Sequence, residues 1–209
     1  MTRARRYYPT ERLGALTDGV FAIALTLLVL EIQLPDPPPA DLTLAEILRT
    51  DWHPFLGWLI SFVVLARLWL IQHETAATLT RASSRTLIIN MVFLGTISLI
   101  PFSANLVSVY ELDEPLSKQI FALLIGLSSL VLGWFVRSAE HDQATAEGRD
   151  PKWSRRALHH LIGVPIIAAV AAGVTFIDPA LSLIVWGIES VVVVVVLLTS
   201  GQVDEPSRA

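Results

Sequence analysis

Asp18, Glu31, Arg67, His73 and Glu189 are ionisable residues set within or at the edges of long apolar runs, and there they are the groups able to do chemistry. A charge held in hydrocarbon costs about 3 kcal/mol or more unless it is paired or wetted. Each such residue therefore points to a bonded partner, a proton path or an ion path. Thr17, Trp69 and Asn90 add uncharged hydrogen-bonding groups in the same runs. Other chemistries find no support. The chain has no cysteine, so thiolate metal sites, disulfides and cysteine nucleophiles are excluded. It contains no His-Glu-x-x-His, no Gly-rich phosphate loop and no Gly-x-Ser-x-Gly, and no residue set suggests an enzyme or a cofactor.

The elements that must position these residues are membrane helices. Hydrophobic residues make up 53% of the 209-residue chain and charged residues 16%, where a soluble domain carries about 25% charged. A helix crosses the roughly 30 Å hydrocarbon layer with about 20 apolar residues. Six segments meet that demand: 13–34, 54–72, 87–110, 119–136, 158–177 and 180–200. The predicted fold is all-α, a polytopic six-helix transmembrane domain over residues 1–209, with no pore loop. Pro35-Asp36-Pro37-Pro38-Pro39 ends span 1 and Asp178-Pro179 separates spans 5 and 6. Pro101 and Pro165 fall inside spans 3 and 5 as kinks. The stretch 137–157 reads as a linker or a short helical extension.

Charge sets the orientation. Of fifteen Lys and Arg, Arg67 lies inside a span, Arg49 and Lys118 flank one side, and the remaining twelve flank the other. The basic side is cytoplasmic, which places both termini inside and the protein in the cell membrane as a multi-pass protein surrounded by lipid. The outer loops lean acidic, and no basic face suited to nucleic acid is present.

Depth, at 1.5 Å per residue, brings five polar positions of three consecutive spans together. Asp18 lies roughly 8 Å above the inner end of span 1, and Arg67, Trp69, His73 and Asn90 of spans 2 and 3 fall in the same layer. Asp18 can accept hydrogen bonds from His73, Asn90 or Arg67, with Thr17 donating nearby. Trp69 and His73, at i and i+4, share one face of span 2. Arg67 points about 200° away from Trp69, toward the interface region or a neighbouring subunit. Two readings stand: an inner-leaflet network locking spans 1–3, and a proton- or ion-binding site. Glu189, mid-span with no cation level with it, is expected to be protonated and hydrogen-bonded or part of a proton relay. Glu31 reaches the headgroups or rings a pore entrance, and His159 and His160 are interfacial.

Span 1 carries a motif. Arg12-Leu-Gly-Ala-Leu-Thr-Asp-Gly-Val-Phe-Ala-Ile-Ala-Leu-Thr-Leu-Leu-Val-Leu-Glu-Ile32 resembles the signature of the transmembrane protein 175 (endosomal/lysosomal potassium channel) family and its prokaryotic members. That signature reads Arg, three residues, Phe-Ser-Asp-Gly-Val-Phe-Ala-Ile, then a Thr-Leu-Leu-Val-Leu run. Leu16-Thr17-Asp18 stands where Phe-Ser-Asp is usual, which keeps the hydroxyl and the carboxylate. Trp69, His73, Asn90 and Pro101-Phe102 also match family positions.

The resemblance implies a potassium-permeable channel, a homotetramer whose first helices line the pore, with potassium as the permeant ion and no cofactor. Arg12, Thr17, Asp18, Trp69, His73 and Asn90 would then form a structural polar network. Ile23, Leu27 and Leu30, at i, i+4 and i+7, make one stripe. In a fourfold ring they would stack three apolar constrictions over about 10 Å, with Thr26 offering hydroxyls and Glu31 at the pore mouth. Narrow apolar rings gate by dewetting and penalise ions that hold water tightly; no Thr-Val-Gly-Tyr-Gly filter occurs. Without the resemblance, the same stripe reads as a lipid-facing or packing face. The alternative function is an ion- or proton-coupled secondary transporter using Asp18 or Glu189, although the two halves of the chain show no matched broken helices.

Overall fold

The computed structural model describes residues 7–33, 37, 39–50, 52–110, 114–143 and 151–200. Arg3, Arg5, Arg6, Arg149 and most of the Pro35–Pro39 stretch lie outside the described residues, as do the side chains of His159 and His160.

A two-residue strand β1 (Tyr7–Tyr8) leads into helix α1 (Glu11–Leu27), which tightens into a 3-10 turn at Leu28–Glu31. A short helix α2 (Leu44–Thr50) follows, then α3 (His53–Ala77), strand β2 (Ala82–Ser83), α4 (Ser84–Ser98), α5 (Ile100–Val109), α6 (Pro115–Gln143), α7 (Pro151–Val174) and α8 (Leu181–Ser200). Four helical runs are long and apolar enough to cross a membrane: Glu11–Glu31, His53–Ala77, Ser84–Val109 and Pro115–Asp142. Spans 5 and 6 of the sequence reading correspond to shorter apolar stretches among the described residues, Ile162–Val174 and Leu181–Val196.

The helices run up and down. At the near end, where the described chain begins, β1 pairs antiparallel with β2, Tyr7 opposite Ser83 and Tyr8 opposite Ala82. The Thr10 hydroxyl donates to the Leu79 carbonyl at 2.8 Å. At the far end the Ser108 hydroxyl donates to the Glu31 carbonyl at 2.7 Å, and Gln119 Nε2 donates to Thr175 Oγ1 at 2.8 Å. Helix α1 packs on α3 and α4; α6 packs on α4, α5 and α7; α8 lies against α7 and α3.

Several boundaries differ from the periodicity reading for identifiable reasons. Span 3 is two helices with a turn at Leu99, where a single kinked helix was expected. Pro101 has no N–H to continue the ladder, and Leu99 N instead donates to Thr96 O at 3.2 Å. Hydroxyls of Thr96, Ser98 and Ser103 donate to the carbonyls of Phe93, Gly95 and Ile100 around the break. Pro165, by contrast, sits inside α7 without ending it. The backbone of α7 there closes on Gly126 of α6, where a Cβ would lie 3.2 Å from the Ala168 Cβ. Helix α6 runs to Gln143, well past the expected 136, so the start of the linker is a helical extension.

Helix α2 was not expected; its start is a capping box. The Glu46 carboxylate accepts from the Thr43 hydroxyl at 2.6 Å and the Thr43 amide at 2.8 Å. These two bonds hold the Glu46 carboxyl below the ordinary carboxylate range.

Candidate functional site

Helix α1 has two unlike faces. Leu13, Thr17, Phe21, Ala24 and Leu28 recur at helical spacing and are buried in the core. Phe21 meets Phe93 of α4 with ring centroids 5.8 Å apart. On the opposite side Ile23 and Leu30 are 62% and 65% exposed, and Leu27 is exposed with them. Thr26 shares this open face, its hydroxyl proton directed to the Ala22 and Ile23 carbonyls of its own helix, both at 2.9 Å.

The polar residues separate into two groups rather than the single network expected. In the buried group, Thr17 Oγ1 donates to the Leu13 carbonyl at 2.9 Å. It accepts from Asn90 Nδ2 at 3.1 Å and Gln72 Nε2 at 3.3 Å, and Gln72 Nε2 also reaches Asn90 Oδ1 at 3.2 Å. All three residues are buried, and together they tie α1, α3 and α4.

Sequence reasoning missed Gln72, although a signal existed. Gln72 lies four and seven residues beyond Leu68 and Leu65, so it continues the buried stripe of α3. A polar side chain on such a stripe needs buried partners, since an unpaired one costs about 1–3 kcal/mol.

The second group lies one residue further round α1, half-exposed. Trp69 Nε1 donates to Asp18 Oδ1 at 2.9 Å, and His73 Nδ1 stands 3.7 Å from the same oxygen. The Trp69 and His73 rings are 5.0 Å apart, as the i, i+4 spacing implies. Asn90 therefore bonds Thr17, not Asp18. Arg12 is exposed, and among the described residues no hydrogen bond joins it to either group.

Two expectations for the charged residues are corrected. Arg67 does not turn to Asp18, to the interface or to a neighbouring subunit; its guanidinium donates to the Glu189 carboxylate across α3 and α8, and both side chains are largely buried. Glu189 thus has a cation level with it. Axial depth hid this pair because the long Arg side chain spans more than a helical turn. Glu31, expected at the headgroups or a pore entrance, follows Leu30 at the end of the 3-10 turn. It lines a cavity within its own subunit between α3, α5, α6 and α8. A further buried cluster, also missed, closes the near end. Asp142 Oδ2 accepts from Ser83 N at 2.7 Å and Thr86 Oγ1 at 2.6 Å, and Thr86 Oγ1 lies 2.8 Å from Ser138 Oγ. Among the described residues no group of three or more His, Cys, Asp or Glu is placed to hold a metal.

This geometry has relatives. The family described as endosomal/lysosomal potassium channel TMEM175 matches residues 12–101, which include Thr17, Asp18, Trp69, Gln72, His73 and Asn90. A potassium channel of Chamaesiphon minutus is 30% identical over 148 residues, covering 70% of this chain and 72% of the relative. The chain belongs to the TMEM175 family. A crystal structure titled as a lysosomal potassium-selective channel TMEM175 homolog from Chamaesiphon minutus shares the fold. Its TM-score is 0.74 at 24% identity, covering 89% of this chain and 96% of that one. The endosomal/lysosomal proton channel TMEM175 of Gallus gallus is 32% identical over 122 residues, covering 55% of this chain but 24% of that longer protein.

Proposed function

We propose that this chain is one subunit of a potassium-permeable channel, a homotetramer of six-span subunits without a pore loop, in the cell membrane. Four copies of α1 surround the axis, and Ile23, Leu27 and Leu30 form stacked apolar constrictions with Thr26 between them. The chain ends sit on the cytoplasmic side, where the flanking Lys and Arg collect. The observation that carries this reading is the asymmetry of α1. One face is consumed by its own subunit, and the opposite face is left open and apolar from Ile23 to Leu30, within the stretch that matches the TMEM175 family. The name of the Chamaesiphon minutus relative supports potassium as the permeant ion.

On this reading the ring works by dehydration. An apolar constriction is crossed only by an ion that sheds part of its water, and potassium holds water less tightly than sodium. The buried Thr17–Gln72–Asn90 group fixes the rotation of α1 so that the apolar stripe, not a polar edge, faces the axis.

The test is bilayer recording of the purified protein carrying Ile23→Asn. A polar ring wets the constriction, so conduction rises and the preference for potassium over sodium weakens. An unchanged permeability ratio would remove the stripe from the ion path.

A further inference from the structure

The far end of the subunit holds a cavity of about 420 Å³, within the usual range of about 300–1,000 Å³ for small-molecule sites. Trp58 of α3, Phe121 of α6 and Trp186 of α8 form its apolar walls, and Phe121 and Trp186 meet edge to face with centroids 5.7 Å apart. Two polar groups lining it are left wanting. Ser182 is 1% exposed, and its Oγ has no hydrogen-bond partner among the described residues; the same is true of the buried Glu31 Oε2. Buried polar atoms of native proteins are paired in all but a few cases. Two orphans in the wall of one cavity mark the place of an absent donor.

We infer that this cavity binds a small aromatic amine, with its ammonium on Glu31 and Ser182 and its ring against Trp58, Phe121 and Trp186. Asn105 already hydrogen-bonds the Glu31 carboxyl, but Oε2 still lacks a donor, and an ammonium meeting a carboxylate supplies the stronger, charge-assisted form. Aromatic walls add cation–π attraction and ring packing. Lys118 is the competing charge in the lining, and its ammonium already donates to the Glu114 carbonyl at 3.1 Å. His53 and Tyr110 are the other titratable groups there, and His53 stacks on Trp52 with centroids 4.6 Å apart. The orphan atoms thus favour an amine over a carboxylate ligand. Because Glu31 faces into its own subunit and Leu30 faces out, the site is separate from the stripe assigned to the pore.

Isothermal titration of the detergent-purified full chain with phenethylamine tests this. Saturable binding of one molecule per subunit is expected, weakened at least tenfold by Glu31→Gln and several-fold by Ser182→Ala. Leu30→Ala leaves it unchanged, and phenylacetate does not bind. Gel filtration and melting temperature verify that each variant keeps the parent fold, and the milder Ser182→Ala carries the test should Glu31→Gln fail to assemble. Absence of saturable binding overturns the proposal, as does affinity indifferent to Glu31 and Ser182. Weakening by Leu30→Ala would move the ligand to the open stripe, and phenylacetate binding would make Lys118 the anchor; either result refutes the amine site. None of these readings depends on conduction, so they stand apart from the test of the channel.

Discussion

The two faces of α1 are built from similar residues and have opposite fates. Phe21 and Leu28 are 1% and 0% exposed, while Ile23 and Leu30, each two positions further on, are nearly two-thirds exposed. Hydrophobicity does not separate them; what does is the polar company each keeps. The packed face carries Thr17, whose hydroxyl donates to its own helix and also accepts from Gln72 of α3 and Asn90 of α4. The open face carries Thr26, whose hydroxyl is satisfied by its own helix and requires nothing else from the subunit. A hydrogen-bonded group thus adds to apolar packing in setting the rotation of the helix.

That contrast can be broken by substitution. Phe21→Ala removes a core aromatic and should cost about 3–5 kcal/mol, seen as a large fall in the melting temperature of the detergent-solubilised subunit. Glu189→Leu removes the carboxylate that Arg67 faces and should cost about 3 kcal/mol. The double variant Arg67→Met with Glu189→Leu should recover most of that loss, and failure to recover would mean that the pair does more than neutralise itself. Asn90→Leu should cost about 1–2 kcal/mol, the scale of hydrogen bonds between membrane helices. Its effect should also appear as altered ion preference, because α1 loses its rotational reference. Asp18→Ala, in the half-exposed group, should change subunit stability by less than about 1 kcal/mol while impairing assembly, read by the mass of the purified particle. The smallest stability change belongs to Ile23→Asn, within about 0.5 kcal/mol for the subunit. Equal costs for Phe21→Ala and Ile23→Ala would erase the distinction between the faces.

Much of the fold was legible because membrane helices advertise themselves through length and hydropathy. The runs around α1, α3, α4–α5 and α6 follow directly from that signal. The end points were less legible. Helix α6 continues beyond the apolar stretch because its last turns bury Ala139 and Asp142 against the near-end strands, a tertiary effect that hydropathy does not register. In the candidate site, depth and i, i+4 spacing point to Trp69, His73 and Asp18, and the Trp69 and His73 side chains lie within 3.7 Å of one Asp18 oxygen. Depth alone could not say that Thr17 and Asp18, adjacent in sequence, send their side chains to different neighbours about 100° apart. Nor could it find the Arg67–Glu189 pair, which joins residues 122 positions apart through a long side chain.

The restraints on α1 carry a mechanical consequence. Its beginning is stitched to the α3–α4 connection by the β1–β2 pairing and the Thr10 bond, its middle is pinned by Thr17, and its end is held by Ser108. A rod fastened at three points can neither spin nor slide by itself. In the proposed ring of four such rods, a change of aperture would require each subunit to lean as a unit, with the hinge at contacts between neighbours.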